Sequence, residues 1–220
     1  MTKTTDRLEF AAKLSRGKRV LDIGGRGMAP CDRPGVYGPN LLKLKGDTAD
    51  NSPFARSYHR IAENAKDYRV LDIRNEPDVQ YVVNLSEHGC VKRLHDILCD
   101  YQPELILCME TLEHVSYHYE VLNEIAGAVS RYGSAAFITL PNNKNWIFNV
   151  LGWNHDHIIA FFPDIADRFI RRSDLSVHDI QRIPCFQKYL WYWWLAYALS
   201  GFQSFSIGFL ITPHNQRARI

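Results

Sequence analysis

The chain has 220 residues, of which 46% are hydrophobic and 23% charged. That composition excludes a disordered polymer or a fibre and suits a single domain, residues 1–220, with one sizeable core. The formal net charge is +2 at pH 7, and most basic residues are dispersed, so charge gives no support to a nucleic-acid partner. Five cysteines (Cys31, Cys90, Cys99, Cys108, Cys185) form no C-x-x-C pair. Neither zinc spacing nor a redox pair is visible, and the expectation is reduced thiols in a cytoplasmic protein. The opening MTKTTDRLEFAAKL lacks the apolar stretch of a secretory signal.

Residues 5–16 predict a helix, with Leu8, Ala11, Ala12 and Leu14 among its apolar positions. RVLDIG (19–24) is a short apolar run stopped by glycine, and YRVLDI (68–73) repeats the pattern. Between them, residues 28–52 hold three prolines and three glycines, which predicts an irregular insertion acting as a lid or recognition loop. VQYVV (79–83), ELILCM (104–109) and SAAFITL (134–140) read as further strands, and 176–183 and 203–211 as weaker ones. Amphipathic spacing predicts helices over 86–99 and 111–130. Apolar runs alternating with helices imply strands buried on both faces. The expected fold is α/β: an open, mostly parallel, Rossmann-like sheet of seven strands with helices on both sides.

Near residues 187–199 the chain is apolar and aromatic, followed by Ser200, Gly201 and Gln203. It is too short for a spanning helix, which needs about 20 apolar residues. Trp191, Trp194, Leu195 and Ala198 share one helical face, while Trp193 points elsewhere. A helix apolar nearly all round needs cover on more than one side. A second copy in a homodimer, a hydrophobic substrate or a peripheral membrane surface would each supply it.

Ligands in such sheets bind beyond the carboxyl ends of the strands. There the first strand leads into Asp22-Ile23-Gly24-Gly25-Arg26-Gly27, where glycines admit a ligand close to the backbone. Pro30 stands where a dinucleotide fingerprint needs glycine or alanine. Asp72 ends the second strand and can accept from both hydroxyls of a ribose. Asn84-Leu85 ends the third, an amide and an apolar group suited to an adenine edge and face. After the fourth come Glu110, Glu113 and His114 at i, i+3 and i+4, predicting one shared helical face. That trio suits helix capping, a divalent cation or a general base; the metal-free base is the preferred reading. His114 is the first candidate base, His118 the second, and His155 and His157 the third.

In this order, RVLDIGGRG, VLDI at 70–73, VVNLSE, PELILCMETLEHV and GSAAFITLPNN resemble the motifs of the class I S-adenosylmethionine-dependent methyltransferases. The resemblance covers about residues 17–145. It implies that Gly24 and Gly25 lie against the methionine moiety and that Asp22 holds the loop or the amino group. It further implies that Asp72 takes the ribose hydroxyls, that Ile73 packs on adenine, that Asn84 and Leu85 flank its edge, and that Met109 lies near the methionine part. METLEHV is especially similar to the ubiquinone-pathway O-methyltransferases, where the two glutamates and the histidine have been assigned to a metal. Arg26 departs from the family pattern, replacing its second glycine. The implied function is O-methylation of a small molecule or glycan, with Glu110, Glu113, His114 and His118 as catalytic candidates. The alternative is a non-catalytic binding or scaffold subunit that retains the fold.

Overall fold

The computed structural model describes residues 5–25, 53–145, 157–186, 204 and 206–214. The expected insertion at 28–52 and the aromatic helix at 187–199 lie outside the described residues, as do Arg26 and His155. In chain order the elements are β1 (Thr5–Asp6), α1 (Arg7–Leu14), β2 (Arg19–Ile23), α2 (Pro53–Asn64), β3 (Asp67–Asp72) and β4 (Tyr81–Val82). Then come α3 (Cys90–Tyr101), β5 (Leu105–Met109), a 3-10 turn (Leu112–His114), α4 (His118–Tyr132) and β6 (Ala135–Pro141). The chain closes with α5 (Pro163–Arg172), a second 3-10 turn (Asp174–Val177), β7 (Asp179–Phe186) and β8 (Ser206–Thr212).

All the strands form one sheet in the order β1-β7-β8-β6-β5-β2-β3-β4. Every pairing is parallel except those of β8 with β6 and β7. The order runs outward from β2 in both directions, which places a crevice at the carboxyl ends of β2 and β5. The seven expected strands are all present. The eighth is Thr5–Asp6, which pairs with Cys185 and Phe186 at the sheet edge. Two residues carry no periodicity of their own, so the sequence pattern merges them with the helix that follows. Asp6 is instead the N-cap of α1, accepting from the amides of Leu8 and Glu9.

Successive residues of the central strands face opposite layers. Leu21 and Ile23 of β2, Ile106 and Cys108 of β5, and Ala136, Ile138 and Leu140 of β6 meet the helices α3, α4 and α5. Val20, Leu105, Leu107, Met109, Ala135 and Phe137 meet α1 and Ile61 of α2. Both layers are packed with buried apolar side chains, so the middle of the sheet offers little room for polar chemistry. Among the described residues no helix is long and apolar enough to cross a membrane.

The expected helix at 111–130 is not continuous. Glu110 adopts a left-handed φ of 51°, Leu112–His114 make a 3-10 turn, and α4 begins only at His118. The break lets Leu112 and Val115 enter the core from a loop. The helix then runs to Gly133, whose left-handed backbone ends it.

Leu8 is fully buried between α1 and the sheet. Leu8→Ala is expected to cost about 2–5 kcal/mol, read as a lower urea midpoint with unchanged slope. A loss under half a kilocalorie would show α1 to be a detachable segment.

Candidate active site

Four strand ends build the rim. At the exit of β2, Gly24 has a φ of 76° and donates its amide to the Leu71 carbonyl at 2.7 Å. A Cβ added there would lie 2.3 Å from Thr111 Oγ1, and one at Gly25 would lie 2.7 Å from the Asp22 carboxylate. Thr111 Oγ1 in turn donates to the carbonyls of Ile23 and Met109, each at 3.1 Å. The threonine thus ties the first loop to the fourth strand end, and only glycine fits beside it. Sequence reasoning missed Thr111, because a threonine between two glutamates carries no local signal.

Asp22 is fully buried on β2, and its Oδ2 accepts from the Tyr68 hydroxyl at 2.6 Å. Oδ1 has no hydrogen-bond partner among the described residues. Burial pushes the Asp22 carboxyl up to about 7, against the Tyr68 hydrogen bond and with the Asp72 charge adding to the rise. Asp72 ends β3, buried, with Oδ1 accepting from the Arg74 amide at 2.9 Å. The next residue, Ile73, is 60% exposed, an apolar side chain left open at the rim. Asn84 is turned onto its own loop, donating to Glu87 and accepting from the Ser86 amide. Leu85 packs in the core and Met109 is buried in the opposite layer, so neither side chain lines an open surface.

The glutamates and the histidine do not share a helical face, because the helix that would align them is absent. Glu110 turns toward β6 and α1, where its Oε1 pairs with Arg7 Nη1 at 3.0 Å and accepts from Thr139 Oγ1 at 2.9 Å. Arg7 is itself buried and also donates to Ser206 Oγ at 3.3 Å. This desolvated ion pair anchors the start of α1 to β6 and β8. Arg7 gave no sequence signal as a site residue. Glu113 points inward and is fully buried, and neither carboxylate oxygen has a hydrogen-bond partner among the described residues. Burial, then the charge of Glu110, holds its carboxyl well above the ordinary carboxylate range, with its own backbone amide and Arg7 opposing.

His114 is exposed and its Nε2 lies 3.8 Å from Glu113 Oε1. Its ring meets that of His157 edge-on, with centroids 4.8 Å apart. His157 is brought there by a segment stitched down at two points. The Ile158 amide donates to the Glu113 carbonyl at 2.7 Å, and the Phe161 amide to Asn143 Oδ1 at 3.1 Å. One ligand atom each from Glu113, His114 and His157 lie within 4.8 Å of one another, spacing that a divalent cation can span. His118 is not in this group. Its Nδ1 lies 3.1 Å from the Val115 carbonyl and its ring packs against Phe169.

The sheet order, the single antiparallel strand and a rim at the carboxyl ends of β2, β3 and β5 define the class I S-adenosylmethionine-dependent methyltransferase fold. A SAM-dependent methyltransferase from Archaeoglobus fulgidus has a similar structure, with a TM-score of 0.51 at 14% identity over 94% of this chain and 95% of that one. The N-methyltransferase NodS from Bradyrhizobium japonicum WM9, solved with S-adenosyl-L-homocysteine, gives 0.52 at 8% identity over 95% and 85%. In sequence the chain is similar to the ubiquinone biosynthesis O-methyltransferase of Bordetella bronchiseptica, 27% identical over 173 residues. That of Citrobacter koseri is 25% identical over 180 residues. The first match covers 76% of this chain and 62% of the relative, the second 80% and 61%. The chain therefore spans less than two thirds of the length of these relatives. No protein-family model matches it.

The raised Asp22 carboxyl has a pH consequence. Between about 4 and 7 the folded chain holds a proton that the unfolded chain has released, so stability falls as pH rises through that window. Glu113, shifted in the same direction, adds to the fall. Asp22→Asn is expected to flatten part of this slope in urea titrations between roughly pH 4.5 and 8. An unchanged slope would place the ionised form of Asp22 in the fold.

Proposed function

We propose that the chain is an S-adenosylmethionine-dependent methyltransferase acting on an oxygen of a small molecule or glycan. The observation that carries this reading is the meeting, at one rim, of the Gly24 turn, the buried Asp22 and Asp72 and the open Ile73. The residues fit the group chemically. A Cβ at Gly24 or Gly25 would strike Thr111 or Asp22, so the turn must be glycine to lie this close to the rim carboxylate, and the second Asp22 oxygen can accept from an ammonium or loop amide. Asp72 would hold the ribose hydroxyls and Ile73 would pack on the adenine face. Asn84 would take the adenine edge, and Leu85 and Met109 would shape the site from beneath. When bound, S-adenosylmethionine supplies an electrophilic methyl group on its sulfonium.

The chain's own work is then to align the acceptor and take its proton. His114 is the base of this proposal. It is exposed beside the rim, and a neutral imidazole can accept a proton near neutral pH. Glu113 lies below it, its carboxyl pushed upward by burial, with Oε1 3.8 Å from His114 Nε2. His157 walls the far side. Glu110, paired with Arg7, positions the loop and takes no proton, and His118 supports α4.

A second reading is favoured by the two buried oxygens of Glu113, which have no hydrogen-bond partner among the described residues. Glu113, His114 and His157 would hold a divalent cation, and Glu110 would not, because Arg7 occupies it. Such a cation would polarise an acceptor hydroxyl. The cytoplasmic location and a second copy covering the aromatic segment near 187–199 belong to the same proposal.

Calorimetric titration with S-adenosylmethionine is expected to show binding, weakened at least about tenfold by Asp72→Ala, roughly 1.4 kcal/mol for lost charge-assisted hydrogen bonds. Equal affinity in a folded variant would remove Asp72 from the site. Turnover on an accepted phenol or sugar hydroxyl is expected to persist in excess chelator and to fall on His114→Gln. Loss in chelator with recovery on added magnesium or zinc would establish the cation reading instead.

A further inference from the structure

Away from the rim, on the surface where α3 packs beside α4, three side chains form a relay that the proposed reaction does not use. Cys99 Sγ lies 3.4 Å from His95 Nε2, one turn earlier on α3. The other ring nitrogen of His95, Nδ1, lies 2.9 Å from Glu124 Oε2 on α4. Arg131, at the end of α4, brings Nη1 to 3.4 Å from the same sulfur. Cys99, His95 and Glu124 are all partly exposed. The other described cysteines, Cys90, Cys108 and Cys185, are buried.

A nucleophile within reach of a base, the base oriented by a third group, is the arrangement that activates a thiol. Each imidazole nitrogen faces a different partner, so the trio is a line from carboxylate to sulfur rather than a chelate. Among the described residues the cation-spaced cluster lies elsewhere, at Glu113, His114 and His157. The sulfur sits in the last turn of α3, before β5 begins, so it lies at the amino ends of the strands, opposite the rim. The groove lined by Tyr81, Val82, Arg93, Asp96 and Ile97 does not include Cys99.

We propose that Cys99 is a modification site, taking a small carboxylate-bearing disulfide to form a mixed disulfide. His95, held by Glu124, accepts the thiol proton. The Cys99 sulfur attacks one sulfur of the disulfide, a new S–S bond forms and the old one breaks. The departing thiolate takes a proton from His95, so Cys99 is oxidised as one sulfur of the reagent is reduced. Arg131 supplies the positive charge that attracts the reagent's carboxylate and faces the sulfur as it loses its proton.

The test treats the folded full-length chain with oxidised glutathione and maps the adducts by peptide mass spectrometry, which separates Cys99 from Cys31. Cys99 is expected to be modified, with a rate lowered at least about tenfold in His95→Gln and lowered also in Glu124→Gln, which leaves the imidazole in place. Arg131→Ala is expected to slow oxidised glutathione more than the uncharged hydroxyethyl disulfide. Circular dichroism confirms folding of each variant. Should His95→Gln fail to fold, the Glu124→Gln rate decides. No adduct at Cys99, or equal rates in the folded variants, would overturn the proposal and leave the trio as a staple between two helices. Equal slowing of both reagents in Arg131→Ala would overturn the anionic class of reagent.

Discussion

Burial of the central strands on both faces is the constraint from which the rest follows. β2, β5 and β6 place almost every side chain in a dry layer, and Asp22 is the exception among the residues of β2 that are fully covered. A sheet of this kind cannot host polar chemistry within its body. Polar groups collect where the strands stop, and parallel strands all stop on one side. The rim is thus a consequence of the sheet's direction as much as of any motif.

At that rim, desolvation sorts the carboxylates by partner. Glu110 is given a guanidinium and a hydroxyl, and Asp22 a phenol. Glu113 is buried with neither among the described residues, and burial pushes its carboxyl upward. Two glutamates three residues apart therefore end in opposite electrostatic situations. One holds the amino-terminal helix to the sheet, and the other lies under the histidine proposed as base. The same Arg7 that settles Glu110 also ties α1 to β8 through Ser206. Helix α1 is thereby fixed to the strands beside the rim.

Packing between loops contributes as much as the strands. Thr111 bridges the ends of β2 and β5, and the Glu113 carbonyl receives the amide of Ile158. These contacts join segments 88 and 45 residues apart (111 − 23 and 158 − 113). They bring His157 against His114, although the two lie in segments with no common periodicity.

The sequence alone determined the layout: short apolar runs between amphipathic segments can only be strands buried between helices, because no other arrangement hides both their faces. It also located the turn glycines and the strand-end aspartates, since a glycine or carboxylate after an apolar run is a local signal. It placed the last two strands within about three residues, an error expected where boundaries depend on packing. Tertiary structure alone decided that 111–130 is a turn and then a helix, that Leu85 and Met109 are core, and that Glu110 belongs to Arg7. Helical spacing describes which residues would align if a helix formed. Whether one forms here depended on burying Leu112 and Val115 and on an arginine about a hundred residues upstream, and no local pattern of apolar and polar residues encodes a partner that distant.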